Sequence, residues 1–312
     1  MAFPNFLYLA IGMLIIGNGY FKPNISTLLG RLYKPDDVRR DSGFSIFYVG
    51  INLGAFLAPL IVGYVGETIN WHYGFAIAGF GMLAGLIQFY IGQNKIIKED
   101  ISSQSKKLNP ADWGIITLVS LINLPLILVI LELNQIINDF FFEILAILII
   151  LIFFYFITKK KQLLAVKKDI KRIAYIGILS IFVIFFWMGF EQAGGSLTLF
   201  ANNSVDRNFL GFVIPASFFQ SINPLIIILI GPMIANFWLS VDRSKNKINT
   251  SQKMGLGLLL LASGFFLIML VNNSSETSIS LWWLVGVYFL HTMGELCLSP
   301  IGLSMVSKVS PK

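Results

Sequence analysis

The stretch FSIFYVGINLGAFLAPLIVGY, Phe44 to Tyr64, contains 21 residues and no Asp, Glu, Lys or Arg. As a helix it extends about 30 Å, the thickness of a bilayer's hydrocarbon core. A lone strand could not satisfy its backbone there, so the stretch is predicted to be a transmembrane helix. Outward from it the pattern repeats. Asn5 to Leu29 precedes it, and the span itself reaches Gly66. Tyr73 to Gln93, Trp113 to Leu133, Phe140 to Thr158, Ile173 to Ala201, Phe209 to Leu239, Gly255 to Val271 and Leu281 to about Val306 follow. The prediction is an all-α polytopic membrane protein with nine transmembrane helices. Composition agrees: 56% of the 312 residues are hydrophobic and 12% charged, more apolar surface than one soluble core can bury.

The basic residues fix an orientation. When the nine spans are alternated, every Lys and Arg except Lys22 and Arg207 falls in one set of loops or in the C-terminal tail. The positive-inside rule then places the N-terminus outside and the C-terminus in the cytoplasm of a multi-pass protein of the inner or plasma membrane. A net charge of +7 would suggest nucleic acid in a soluble domain. Here those charges serve as topology signals, and no nucleic-acid partner is expected. The stretch Met1 to Leu14 has no Lys or Arg ahead of its apolar run, which continues past a signal-peptide core and reads as a helix. Cys297 is the single cysteine, so neither an intramolecular disulfide nor a cysteine metal cluster can form. HExxH, GxSxG, P-loop and CxxC motifs do not occur, and the chain is not expected to be an enzyme.

The spans Trp113 to Leu133 and Phe140 to Thr158 stand apart. The second is apolar on every face after Glu143, which suits a helix surrounded by lipid. They read as a peripheral hairpin inside residues 94–172, between one helical bundle at 1–93 and another at 173–312.

Three ionisable residues, Lys22, Glu191 and Glu295, lie inside apolar runs. A charge at that depth costs about 2.5 to 3.5 kcal/mol on insertion scales and marks an interior or aqueous path. Lys22 sits in GNGYFKPNIS, where Pro23, Gly17 and Gly19 predict a bent or locally opened helix. The bland alternative is a lysine that snorkels to the interface. Asn52 stands beside the small-residue pair Gly50 and Gly54, either as part of a cavity or as a bond between helices. Gly81 and Gly85, at the same spacing, read as packing.

In FFWMGFEQAGGSL, Trp187 and Glu191 share a helical face, and Gly194 and Gly195 allow a bend. Glu191 at the outer interface is the alternative there. QSINP puts Gln220, Asn223 and the kink-former Pro224 at mid-depth, and in HTMGELCLSP Glu295 and Ser299 share a face before Pro300 adds a break. Counted from the outer ends of their spans, Lys22 and Glu295 lie at depths of about 26 and 21 Å, which makes them a candidate pair. Glu191 lies nearer the outer side. His72 reads as part of an interfacial aromatic belt, and His291 either senses protons or is packed.

These motifs, in this order, resemble those of the proton-dependent oligopeptide transporters, a branch of the major facilitator superfamily. GNGYFKPNIS is similar to that family's fourth-helix motif, FYVGINLGAF to its fifth-helix FYxxINxG signature, FFWMGFEQAGGSL to the seventh helix, QSINP to the eighth and GELCLSPIGLS to the tenth. The resemblance implies a partial major facilitator fold covering helices four to ten, with the hairpin as the two extra inter-bundle helices of bacterial members. It also implies proton-coupled symport of di- and tripeptides by alternating access, protons being the coupling ion and no other cofactor taking part.

Lys22, Asn52, Trp187, Asn223, Glu295 and Ser299 would then line the peptide site. Lys22 and Glu295 would also form an inner gate, and Glu191 would belong to an outer gate whose arginine lies on the family's first helix. Helices one to three, with the ExxERF motif, and helices eleven and twelve have no counterpart in this stretch of chain. The alternatives are a truncated remnant that does not transport, and a relative carrying another small solute.

Overall fold

The computed structural model describes residues 6–33, 39–96, 109–132, 160–244, 248–272 and 278–309. They are almost entirely helical. Among them are α1 (Leu7–Arg31), α2 (Arg39–Ala58), α3 (Tyr64–Thr68), α4 (Trp71–Ile96), α5 (Pro110–Glu132), α6 (Lys160–Phe190), α7 (Ser196–Ser204), α8 (Ile222–Arg243), α9 (Thr250–Asn272) and α10 (Leu281–Val309). Eight of the nine predicted spans fall on these helices, and Phe140 to Thr158 lies outside the described residues. Six helices among the described residues are long and apolar enough to cross a membrane. The protein is a multi-pass membrane protein.

The helix ends show what hydropathy does not see. At α5, Asn109 and Asp112 exchange bonds, Asp112 N–H to Asn109 Oδ1 at 2.8 Å and Asn109 N–H to Asp112 Oδ2 at 2.9 Å. Pro110 fills the first helical position, where no donor is needed. Asn249 and Gln252 make the same reciprocal cap at α9, at 2.8 and 3.0 Å. Both helices therefore begin before their apolar runs. The basic stretch Lys159 to Arg172, expected from the sequence to be a cytoplasmic connection, is from Lys160 onward the first part of α6, since Lys, Gln, Leu and Ala are strong helix formers.

The contacts divide the chain into two units. Met1–Phe47 with Phe75–Leu163 form the first. In it α1 packs along α5, where the Tyr20 hydroxyl lies 3.0 Å from Ser120 Oγ and 3.4 Å from the Ile116 carbonyl. The expected opening beside Lys22 does not occur: α1 stays helical from Leu7 to Arg31. Within it the Asn24 amide donates to the Tyr20 carbonyl at 2.6 Å.

Tyr48–Gly74 and Leu164–Lys312 form the second unit. Here α2 passes without interruption into a π-helical turn, Pro59–Gly63, and then α3. Pro59 has no N–H to give, and the ladder shifts register at that point. The predicted bend at Gly194 and Gly195 is present: α6 ends in a 3-10 turn, Glu191–Gly194, and α7 restarts after Gly195. Two-residue strands follow. β1 (Val205–Asp206) pairs in parallel with β4 (Ile279–Ser280), and β2 (Asn208–Phe209) forms a hairpin with β3 (Phe212–Val213). The hairpin turn needs Gly211, at φ 83°, after Leu210 at φ 54°. Because of it the predicted span from Phe209 becomes helical only at Ala216, in a 3-10 turn that runs to Ser221.

Pro224 lies in the first turn of α8, where its missing donor costs nothing, so the kink expected of it is not required. The internal proline of α8 is Pro232. Helix α10 likewise runs through Pro300 without the expected break.

Close packing in this unit joins α9 to α10. A Cβ on Gly257 would sit 2.8 Å from the Gly294 carbonyl, and one on Gly294 would sit 2.7 Å from that of Gly257. By contrast, a Cβ at Gly50, Gly54, Gly81 or Gly85 would meet nothing within 4 Å among the described residues. At one end of the α8–α9 pair the buried Lys253 donates to Asp242 at 2.6 Å and lies over the Trp238 ring at 4.9 Å.

Candidate functional site

Asn223, in the first turn of α8, and Glu295, midway along α10, are brought together. The Asn223 amide donates to Glu295 Oε2 at 2.7 Å and to Thr292 Oγ1 at 3.1 Å. Thr292, fully buried, donates its single proton to the Tyr288 carbonyl at 2.7 Å. Its oxygen can therefore only accept from Asn223, and a carboxylate too can only accept. Both neighbours demand the NH2 group, so the amide has one orientation, with Oδ1 facing away from them. Among the described residues no hydrogen bond reaches Glu295 Oε1. The cluster therefore holds a carboxylate by one oxygen and offers acceptors, an arrangement able to bind a cationic group.

The other predicted residues are distributed around the fold. Lys22 lies on α1, in the first unit, with an exposed side chain. Asn52 is buried on α2 and gives its amide to the Tyr48 carbonyl of its own helix at 2.9 Å. Trp187 is half-buried on α6 in an aromatic cluster with Phe186 and Phe190, ring centroids 5.9 and 5.3 Å away. Glu191 is exposed at the head of the 3-10 turn and forms no ion pair among the described residues. Ser299 is on α10, and its side chain lies outside the described residues. His291 is packed, not solvated: it is buried against Phe265 with ring centroids 4.8 Å apart, on the face where α9 brings Gly264.

Two polar clusters escaped the sequence reading, which places only Gln220 of the first at mid-depth. Around the α6–α7 break, the Gln220 amide donates to Thr198 Oγ1 at 3.1 Å, while Thr198 and Tyr288 both donate to the Ala193 carbonyl, at 2.8 and 3.3 Å. The other is Glu67 in α3. Its carboxylate accepts the backbone N–H groups of Ala216 and Ser217, at 2.8 and 2.7 Å, and Arg207 Nη1 stands 3.9 Å from Oε2. A Glu one residue from a helix end reads as solvated, and backbone donors 149 residues away leave no mark in a sequence.

The fold and the interior cluster define a class: a polytopic α-helical membrane protein with a charge-bearing interior, as solute carriers have. The chain belongs to the POT family, whose profile matches residues 2–312. It is 36% identical over 318 residues to the peptide transporter YePEPT of Yersinia enterocolitica, covering 97% of this chain and 62% of that protein. A di-/tripeptide transporter of Lactococcus lactis subsp. cremoris is 34% identical, covering 98% and 63%. Among solved structures, a peptide transporter POT in complex with sulfate superposes with a TM-score of 0.80 at 34% identity, covering 99% of this chain and 64% of that one. A POT family transporter in complex with 5-aminolevulinic acid gives 0.79 at 29% identity, covering 100% and 66%. The chain thus spans less than two thirds of the length of the curated relatives it matches.

Proposed function

We propose that this chain carries the central solute site of a proton-coupled symporter of di- and tripeptides that works by alternating access in the cytoplasmic membrane. One observation carries the reading: an interior carboxylate, Glu295, held through Asn223 with acceptor atoms left over. An ionisable group at that depth is costly unless a path or partner uses it. Glu295 and Asn223 receive the peptide's ammonium group, and Lys22 faces its carboxylate. Asn52, Trp187 and Ser299 line the remainder of the site. Lys22 with Glu295 forms the inner gate between a bundle drawn from residues 1–93 and one from 173–312, and Glu191 belongs to an outer gate. Protons are the coupling ion, the peptide is the soluble partner, and Arg207 and Glu67 lie on the outer face.

The test is uptake of a labelled dipeptide driven by an imposed proton gradient. Gradient-dependent uptake is expected. Uptake indifferent to the gradient would overturn the coupling.

A further inference from the structure

Glu67 has no place in the proposed solute site, yet both oxygens of its carboxylate are engaged. Each oxygen takes a backbone N–H from the start of the 3-10 turn at Ala216 and Ser217, donors that no helical carbonyl can reach. Arg207 stands beside it and is itself fixed, giving Nη1–H to the Ile214 carbonyl and Nη2–H to Asn202 Oδ1, both at 2.9 Å. Lower on the same surface the Ser221 hydroxyl donates to the Phe56 carbonyl at 2.8 Å. Between these ties, Gly63 touches Ser217 so closely that a Cβ would collide with Oγ. Tyr64 adds loose ring contacts to Phe212 and Phe218, each 6.4 Å between centroids. The interface is small and largely polar, with two small residues, Gly63 and Ser217, at its closest approach, a surface that can part and re-form. It also explains why Tyr48–Gly74 groups with Leu164–Lys312 while the chain on both sides of it, to Phe47 and from Phe75, groups elsewhere.

We propose that Glu67 is a gating residue: it clasps the α2–α3 segment to the start of the α8 segment, and the clasp must open for solute to enter from outside. This rests on the alternating-access reading and on the orientation given above. Opening exchanges the two backbone donors for water, so the charge on Glu67 sets the balance between closed and open forms. A glutamine keeps one acceptor and loses the charge. It is expected to raise the open population about tenfold, the worth of a charge-assisted hydrogen bond, and alanine is expected to raise it further.

The experiment is pulsed EPR on the full-length protein, with spin labels on Ile69→Cys and Leu210→Cys, both exposed positions, and the buried Cys297 changed to Ala. Glu67 is compared with Glu67→Gln and Glu67→Ala, without substrate. A longer distance component that grows from wild type to Gln to Ala is the expected result. One narrow distribution shared by all three overturns the clasp. If the alanine variant does not fold, the glutamine variant decides alone. Since the measurement needs no transport, a growing long component without gradient-driven uptake sinks the symport reading and leaves the clasp standing. Uptake with unchanged distances does the reverse.

Discussion

Two carboxylates in one unit are treated in opposite ways. Glu67 has both oxygens taken by backbone donors that cannot rotate away, with a fixed Arg207 alongside. Glu295 has one oxygen held by a side-chain amide, itself oriented by Thr292, and the other receives no hydrogen bond among the described residues. A carboxylate consumed by backbone joins segments. A carboxylate held at one point has capacity left for a ligand or a proton. The contrast separates holding from handling, and each prediction below strains one side of it.

The largest effect is expected at Glu295 and Lys22. Glu295→Ala and Lys22→Ala should abolish gradient-driven dipeptide uptake while membrane insertion, followed by fractionation, stays normal. Wild-type rates in either variant would erase the distinction between the two carboxylates. Next comes Thr292→Val, which keeps shape but removes the acceptor that orients Asn223. Loss of one buried hydrogen bond costs about 1 to 1.5 kcal/mol, so the KM for dipeptide should rise about tenfold. Thr292→Ser should restore it, which a role in packing alone would not allow.

A change outside both clusters should act on stability and leave solute affinity alone. Gly294→Ala places a Cβ 2.7 Å from the Gly257 carbonyl and should lower thermal stability in detergent by about 1 to 3 kcal/mol with the KM of the folded fraction unchanged. The smallest concerns the hairpin beyond Glu67. Leu210 is 93% exposed at φ 54°, so Leu210→Gly should be neutral or slightly stabilising, within about 1 kcal/mol in a thermal melt.

Much of this fold was legible because lipid imposes one dominant pattern. Apolar runs marked the spans, and Gly194 with Gly195 marked the break between α6 and α7. Hydropathy, however, reports membrane depth and not helix ends. It set α5 at Trp113 and α9 at Gly255, whereas the caps at Asn109 and Asn249 start them earlier, in the polar zone. Prolines misled for a related reason: Pro224 sits where no donor is due, so it leaves the helix intact.

At the site, Asn223 and Glu295 were legible as polar groups in apolar runs, and their meeting follows from the register of α8 against α10. Thr292 was not, because a threonine within a helix ordinarily bonds its own backbone. Only the approach of Asn223 turns that habit into an orienting contact. Glu67 stayed hidden because its partners are main-chain atoms.

The central claim is that Glu295 handles the solute and Glu67 does not. Equilibrium binding of a labelled dipeptide to the purified full-length protein tests it most directly, comparing wild type with Glu295→Ala and Glu67→Gln. The account predicts that binding weakens at least about tenfold in Glu295→Ala, the worth of one interaction with a charged group. In Glu67→Gln the affinity should remain within about threefold of wild type, a difference under 1 kcal/mol. Equal affinity for wild type and Glu295→Ala would contradict it.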